Sequence, residues 1–409
     1  DIGPSFFSMS YEFEEFAREC NIKLPFKYIE LDHLYSVNFS DNPKTFHLYK
    51  DIARLAEQFR EVEPYFEEKM RRYLKKSGAL FNDTVDLVVK NNFDSLFDYI
   101  FTLMRVNPVH IPVLFKSFFK QVEQHFESKE AQQIVSLVAF FLGRTPFDTM
   151  AIYTLLSYTE FQHDGYYNVE GGMYKIVEGF VSELAKANIK IHYNTEIVDY
   201  TSSGKKIESV VDSNGKKWSA DTILINADAA VFRSSVLKHK NYNVEKMDKM
   251  SWTMGYLTVY IGLKCKLPQV NHHNYYLGSN FKEYADNVMR DADTLQKPYY
   301  YVNVLSKHNS ECAPEGCESL FVVCPVPNLL IKPNWSDKDE IVDSIIADFS
   351  NRIGKDIAPE IISRTIYTPV EWQDKFNLYR GSGLGLSHTF NQIGAMRPPI
   401  VDEKFKNLF

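Results

Sequence analysis

Two glycines ahead of a helix are the residues best placed to meet a ligand. Gly171-Gly172-Met173 precedes Ile176, Val177, Phe180, Val181 and Leu184, whose spacing predicts a helix with one apolar face. Glycines at such a point let backbone approach a flat or anionic ligand, and the helix start offers N–H groups. Taken alone, the pair reads more simply as a tight turn without a ligand. Asp228 ends Asn226-Ala227-Asp228 after a short apolar run, where Asp is a favoured helix cap. No Ser-His-Asp set, carboxylate pair or metal-ligand spacing is visible, which fits chemistry carried by a cofactor. His272-His273 lacks acidic or Cys neighbours at ligand spacing and reads as loop.

The elements around these residues follow from periodicity. Met150 to Tyr158 reads as a helix, followed by a turn at Asp164-Gly165. After the glycine pair, Ile189–Tyr193, Thr195–Tyr200, Ile207–Asp212 and Thr222–Ile225 read as strands, with Asn214-Gly215 as a hairpin turn. Tyr28–Leu34, Tyr35–Phe39 and Thr45–Tyr49 are expected strands. So is Trp252–Leu263, where Tyr256, Thr258 and Tyr260 alternate with Leu257, Val259 and Ile261. Tyr299–Leu305, Ser319–Pro325 and Arg364–Tyr367 complete the strands. Asp337–Ile353 is a helix with Ile341, Ile345, Ile346 and Phe349 on one face. Residues 51–145 read as all helical. Within them Val113–Lys120 has two readings, a core helix or an interfacial helix that docks on lipid.

A chain of 409 residues, 44% hydrophobic, can bury a sizeable core. Aromatic content is 14%, with 30 Phe and 25 Tyr, which suits an apolar ligand channel and equally a large core. A net charge of −7 argues against nucleic acid as the main partner. The five cysteines are scattered and odd in number, as in a reducing compartment. No apolar run is long enough to span a bilayer.

Longer motifs are more specific. Gly143-Arg144-Thr145-Pro146-Phe147, Ile152-Tyr153, Gly165 to Met173, Asn188 to Val198 and Asn226-Ala227-Asp228 occur in this order. Tyr367-Thr368-Pro369, Trp372, Phe376-Asn377, Gln392 and Arg397-Pro398 follow. Together they resemble the bacterial phytoene desaturase family, FAD-dependent enzymes of the amine oxidase-like group. Asn188 departs from the family, which has Gly there.

The resemblance implies a two-lobed α/β fold. An incomplete FAD/NAD(P)-binding Rossmann-like layer would come from residues 1–10, 160–250 and 380–409. A mixed-sheet substrate domain would come from residues 28–50 and 251–370, with 51–145 as a helical lid. It places Asp1, Gly3, Pro4, Gly171, Gly172, Met173, Val198, Asn226 and Asp228 beside FAD, with Val198 at an adenine slot. The glycine fingerprint and the closing flavin motif are not found in the chain, which is therefore expected to hold FAD poorly. Gly381-Ser382-Gly383-Leu384-Gly385 has glycine spacing without a strand–helix unit around it. The implied activity is desaturation of a long apolar isoprenoid by hydride transfer to flavin. Two alternatives stand: a flavin-dependent saturase or isomerase, and a flavin-free module that binds an apolar ligand or a protein. The expected location is cytoplasmic, with peripheral contact at the inner face of the membrane left open.

Overall fold

The computed structural model describes residues 5–93, 95–290 and 299–409. Its largest element is a seven-stranded mixed sheet in the order β12-β8-β11-β10-β9-β2-β3. The strands are β2 (His33–Phe39), β3 (Asn42–Tyr49), β8 (Gly255–Leu263), β9 (His273–Leu277), β10 (Tyr300–Val304), β11 (Glu318–Val326) and β12 (Ile361–Tyr367). Only β2 against β9 is parallel; the other pairs are antiparallel. A short pair joins β1 (Tyr28–Glu30) to β4 (Tyr167–Val169), and a three-stranded sheet holds β5 (Ile197–Ser203), β6 (Lys206–Asp212) and β7 (Lys217–Trp218).

Alternation along the large sheet gives each face a different task. Leu257, Val259, Ile261, Val302, Leu320 and Val322 pack against Ile341, Val342, Ile345, Ile346 and Phe349 of the helix Lys338–Ile353. Each such side chain, fully buried, stabilises the fold by roughly 1.5–3 kcal/mol. The opposite face carries Tyr256, Tyr275, Tyr301 and Phe321, and helices from the segment 52–163 lie over it. Two glycines permit the close crossings that frame this second layer. A Cβ on Gly143 would stand 2.6 Å from Thr253 Cβ, and one on Gly383 would stand 2.2 Å from the Tyr256 ring.

Asn188 has a local explanation. It takes φ 56° just past the helix Tyr174–Lys186, with Ile189 N–H donating to Leu184 O at 2.9 Å and Asn188 N–H to Ala185 O at 3.0 Å. This is a Schellman ending, and Asn is the residue after Gly best able to occupy it.

Several sequence expectations need correction. His273 is not loop: it begins β9 and is fully buried, with Nδ1 2.5 Å from the Tyr301 hydroxyl. Ile189–Tyr193 forms no strand, and Thr222–Ile225 contributes a single bridge, Ile223 to Leu408. Alternation suited both segments, but a strand also needs a partner, and no described strand lies beside Ile189–Tyr193. Val113–Lys120 is not one helix: a 3₁₀ segment, Pro108–Phe115, stops before Lys116, and the helix Phe118–Glu123 starts anew. Pro112 lacks the N–H an α-helix needs there. Met150–Tyr158 is 3₁₀ at Ala151–Thr154 and α at Leu155–Tyr158, then widens to a π-turn at Thr159–His163.

Candidate active site

Between the aromatic face of the large sheet and the helices lies a cavity of about 760 Å³. The sheet supplies Tyr256 and Thr258 from β8, Tyr275 and Leu277 from β9, Tyr301 from β10, and Phe321 and Val323 from β11. The other side supplies Leu137, Val138, Phe140, Phe141, Leu156, Phe281 and Tyr284, and Gly383-Leu384 closes one part. Aromatic groups dominate the sheet side because the strands that feed it alternate, and most of their aliphatic residues point the other way.

Two carboxylates line this cavity, Glu160 and Asp164. Asp164 is engaged within the fold: it accepts from Ser10 N–H at 2.9 Å, Ser10 hydroxyl at 2.7 Å and Tyr167 hydroxyl at 3.0 Å. Glu160 sits on the π-turn and is 5% exposed. Burial pushes its acid up to about 8, opposed by the neighbouring Tyr35 and Tyr166 hydroxyls. Those hydroxyls lie close to the carboxyl, yet the Tyr35 hydroxyl has no partner in hydrogen-bonding alignment. Tyr35, Tyr166 and Tyr275 are all pushed well above the usual phenol range, first by burial, and stay neutral.

The residues singled out in the sequence are spread over the molecule. Asp1, Gly3 and Pro4 lie outside the described residues. Gly171 and Gly172 take φ 78° and 92°, and their N–H groups donate to Asn309 Oδ1 and Val169 O at 3.0 Å. A Cβ on Gly172 would meet Cys312 Sγ at 3.3 Å, so the pair packs beneath the segment that leads into β11. Met173 is half-buried against the cluster of Phe7, Phe26 and Val169. Val198 stands where the β5–β6 register shifts, on a strand paired only with β6, and is 41% exposed. Asn226 is exposed. One Asp228 oxygen caps the turn Ala229–Val231, accepting from Ala230 N–H at 2.9 Å and Val231 N–H at 3.0 Å. The other accepts from Tyr379 N–H at 3.2 Å. Asp228 also borders a second cavity of about 330 Å³ with Ile225, Arg233, Gly385, Arg397 and Phe409.

Sequence reasoning missed Glu160, since one Glu in an apolar stretch carries no spacing signal. It also missed three buried polar atoms without a protein partner: Arg144 Nε, Ser387 Oγ and His388 Nδ1. Arg144 follows Gly143, and Ser387-His388 follows the glycine-rich run. Burial, then Arg397 and Arg144, press His388 down to about 4, so it is neutral near pH 7.

The whole chain, residues 1–409, matches the family described as flavin containing amine oxidoreductase. It belongs to that family. Among curated relatives, it is 26% identical to a phytoene desaturase of Fusarium fujikuroi, covering all of this chain and 76% of that one. It is 27% identical to a zeta-carotene-forming phytoene desaturase of Myxococcus xanthus, covering 100% and 79% of the two chains. A carotenoid 3,4-desaturase of Haloarcula japonica is also 27% identical, with 97% and 80% covered. Among solved structures, an oxidoreductase from Methanosarcina mazei aligns with TM-score 0.54 at 13% identity, covering 99% and 80% of the two chains. Cyclohexylamine oxidase from Brevibacterium oxydans aligns at 0.55 and 9%, covering 100% and 80%. At these identities the structures establish the fold. The protein is therefore an oxidoreductase of flavin-dependent type. Its residues fit such a group: three buried polar atoms stand unpaired beside the glycine-rich run, and a flavin ring edge carries matching acceptors and donors.

Proposed function

We propose that the protein is an FAD-dependent desaturase of a long apolar isoprenoid of the phytoene or carotenoid type. The observation that carries this reading is the large cavity, whose wall is aromatic and aliphatic with few polar groups. Such a wall suits a polyene and offers a small polar amine little to bind. Three curated relatives named as phytoene or carotenoid desaturases support it.

A bound flavin supplies the hydride acceptor. Arg144, Ser387 and His388 would meet its polar edge with the atoms left unpaired. Val198 on its open strand edge, with Asn226, would face the adenine end. Gly171, Gly172, Met173 and Asp228 shape the layer around it through the turn and the cap already described. The tyrosine wall excludes water and fixes the chain of the substrate over the reacting carbons.

Incubation of the flavin-loaded protein with phytoene in lipid vesicles tests the reading. Desaturation lengthens the conjugated system and moves absorption to longer wavelength. A product with two more hydrogens would mark a saturase, and one of unchanged composition an isomerase.

A second reading concerns the membrane. Phe97, Phe101, Met104, Val109 and Phe115 are exposed within one segment, Phe97 at 86% and Phe115 at 78%. Aromatic side chains left bare in this way suit the headgroup boundary of a bilayer, where an apolar isoprenoid is dissolved. Among the described residues no helix is long and apolar enough to cross a membrane, so the contact proposed is peripheral.

A further inference from the structure

We propose that Glu160 is the base that takes up the proton released when the substrate is desaturated. The inference rests on the desaturase reading and assigns the half of that reaction which the flavin does not perform.

Removing two hydrogens breaks two C–H bonds. One hydrogen would leave with its electron pair as hydride, for which a bound flavin would be the acceptor. The other, on the neighbouring carbon, leaves as a proton, and its bonding pair becomes the second bond of the new C=C. That proton needs an acceptor on the wall of a cavity lined mostly by apolar groups. In the proposed step it bonds to a Glu160 carboxylate oxygen, so that Glu160 passes from the ionised to the neutral form. It is released to solvent as product leaves, which restores the carboxylate.

The geometry selects Glu160 from the groups that line the cavity. The other acid, Asp164, is held by three donors and anchors the start of the helix Ser10–Glu19. Glu160 has no ion pair and no backbone donor among the described residues. The groups that face it are phenols: Tyr35 from β2, Tyr166 before β4, Tyr275 from β9 and Tyr73 from the helix Phe66–Thr84. Among the described residues no Lys, Arg or His offsets its charge. A structural acid in such a place would be better replaced by a neutral residue, since a buried carboxyl without a cation destabilises the fold once ionised. The same surroundings make it a competent base. An acid shifted to about 8 lies near the pH of the reaction, where proton transfer is most effective. Tyr35 and Tyr166 stand beside it as neutral phenols.

The test uses the flavin-loaded protein and its Glu160→Gln variant, with phytoene in vesicles. Wild-type turnover should rise with pH up to about 8 and then level, as the carboxylate forms. The variant should lose turnover by roughly 100-fold or more, with no such rise, while phytoene binding is kept. Infrared difference spectra should show a protonated-carboxyl band that titrates near pH 8 in the wild type and is missing from the variant. The variant should also melt higher than the wild type at pH 8 and converge with it near pH 4. The neutral folded acid faces an unfolded chain that ionises freely above that range. Product formed equally by both proteins, or no titrating band, overturns the assignment. A wild type that binds phytoene and makes no conjugated product overturns the desaturase reading and this proposal with it.

Discussion

The two faces of the seven-stranded sheet are built from the same strands and do opposite things. On one, Leu257, Val259, Val302 and Val322 close on the helix Lys338–Ile353 as a packed core. On the other, Tyr256, Tyr275, Tyr301 and Phe321 stand around a cavity of about 760 Å³. The difference is one residue of register, repeated along each strand. Aliphatic β-branched residues interdigitate and leave no space. Tyrosines are long and stiff, and where helices cross above them they hold a volume open. Both faces bury a core, and the second also keeps an open volume within it.

Substitutions separate the two. Phe349→Ala, on the packed face, should destabilise the protein by about 3–5 kcal/mol, read from the denaturant midpoint. The wet apolar segment is a third surface that packs against neither face. Phe97→Ser with Phe101→Ser should leave that midpoint within about 0.5 kcal/mol, and reduce cosedimentation with vesicles by roughly 1.5–3 kcal/mol per side chain. Val323→Trp, on the cavity face, should keep the fold and weaken isoprenoid binding by roughly 10-fold or more, about 1.4 kcal/mol, seen by tyrosine fluorescence quenching. Should it unfold the protein instead, the volume beside Val323 is not free to take a ligand and the contrast fails.

The smallest effect concerns the cap that follows β12. Burial alone would raise the Glu371 acid, but Lys338 at 2.6 Å and the Thr368 hydroxyl and N–H outweigh it and hold it down near about 2. Its folded value lies below the unfolded one, so its contribution is present above the ordinary carboxylate range and is lost as pH falls towards about 2. Glu371→Gln should flatten that part of the acid-melting curve.

Much of this contrast is legible in the sequence. The alternation of Tyr256, Thr258 and Tyr260 with Leu257, Val259 and Ile261 predicts two unlike faces, and the structure has them. The helix carrying Ile341, Ile345, Ile346 and Phe349 follows its spacing closely. The family and its flavin-dependent class were legible from motif order. What stayed hidden depends on partners far away in sequence. The strand at His273 is fixed by pairing with β2 and β10, and neither could be read from the dipeptide. Glu160 looks like any surface acid until Tyr35 and Tyr275 are brought around it from distant segments, beside the nearby Tyr166. The unpaired atoms of Arg144, Ser387 and His388 show only once the glycine-rich run is seen against the start of β8, where Thr253 N–H donates to Gly385 O at 3.0 Å.

Anaerobic reduction of the flavin-loaded protein tests the central claim most directly. Phytoene in vesicles and a primary amine are offered separately, and the flavin absorbance is followed. Bleaching by phytoene, together with a longer conjugated product and no bleaching by the amine, is the result expected of an apolar cavity built for an isoprenoid. Bleaching by the amine, with phytoene inert, would contradict it.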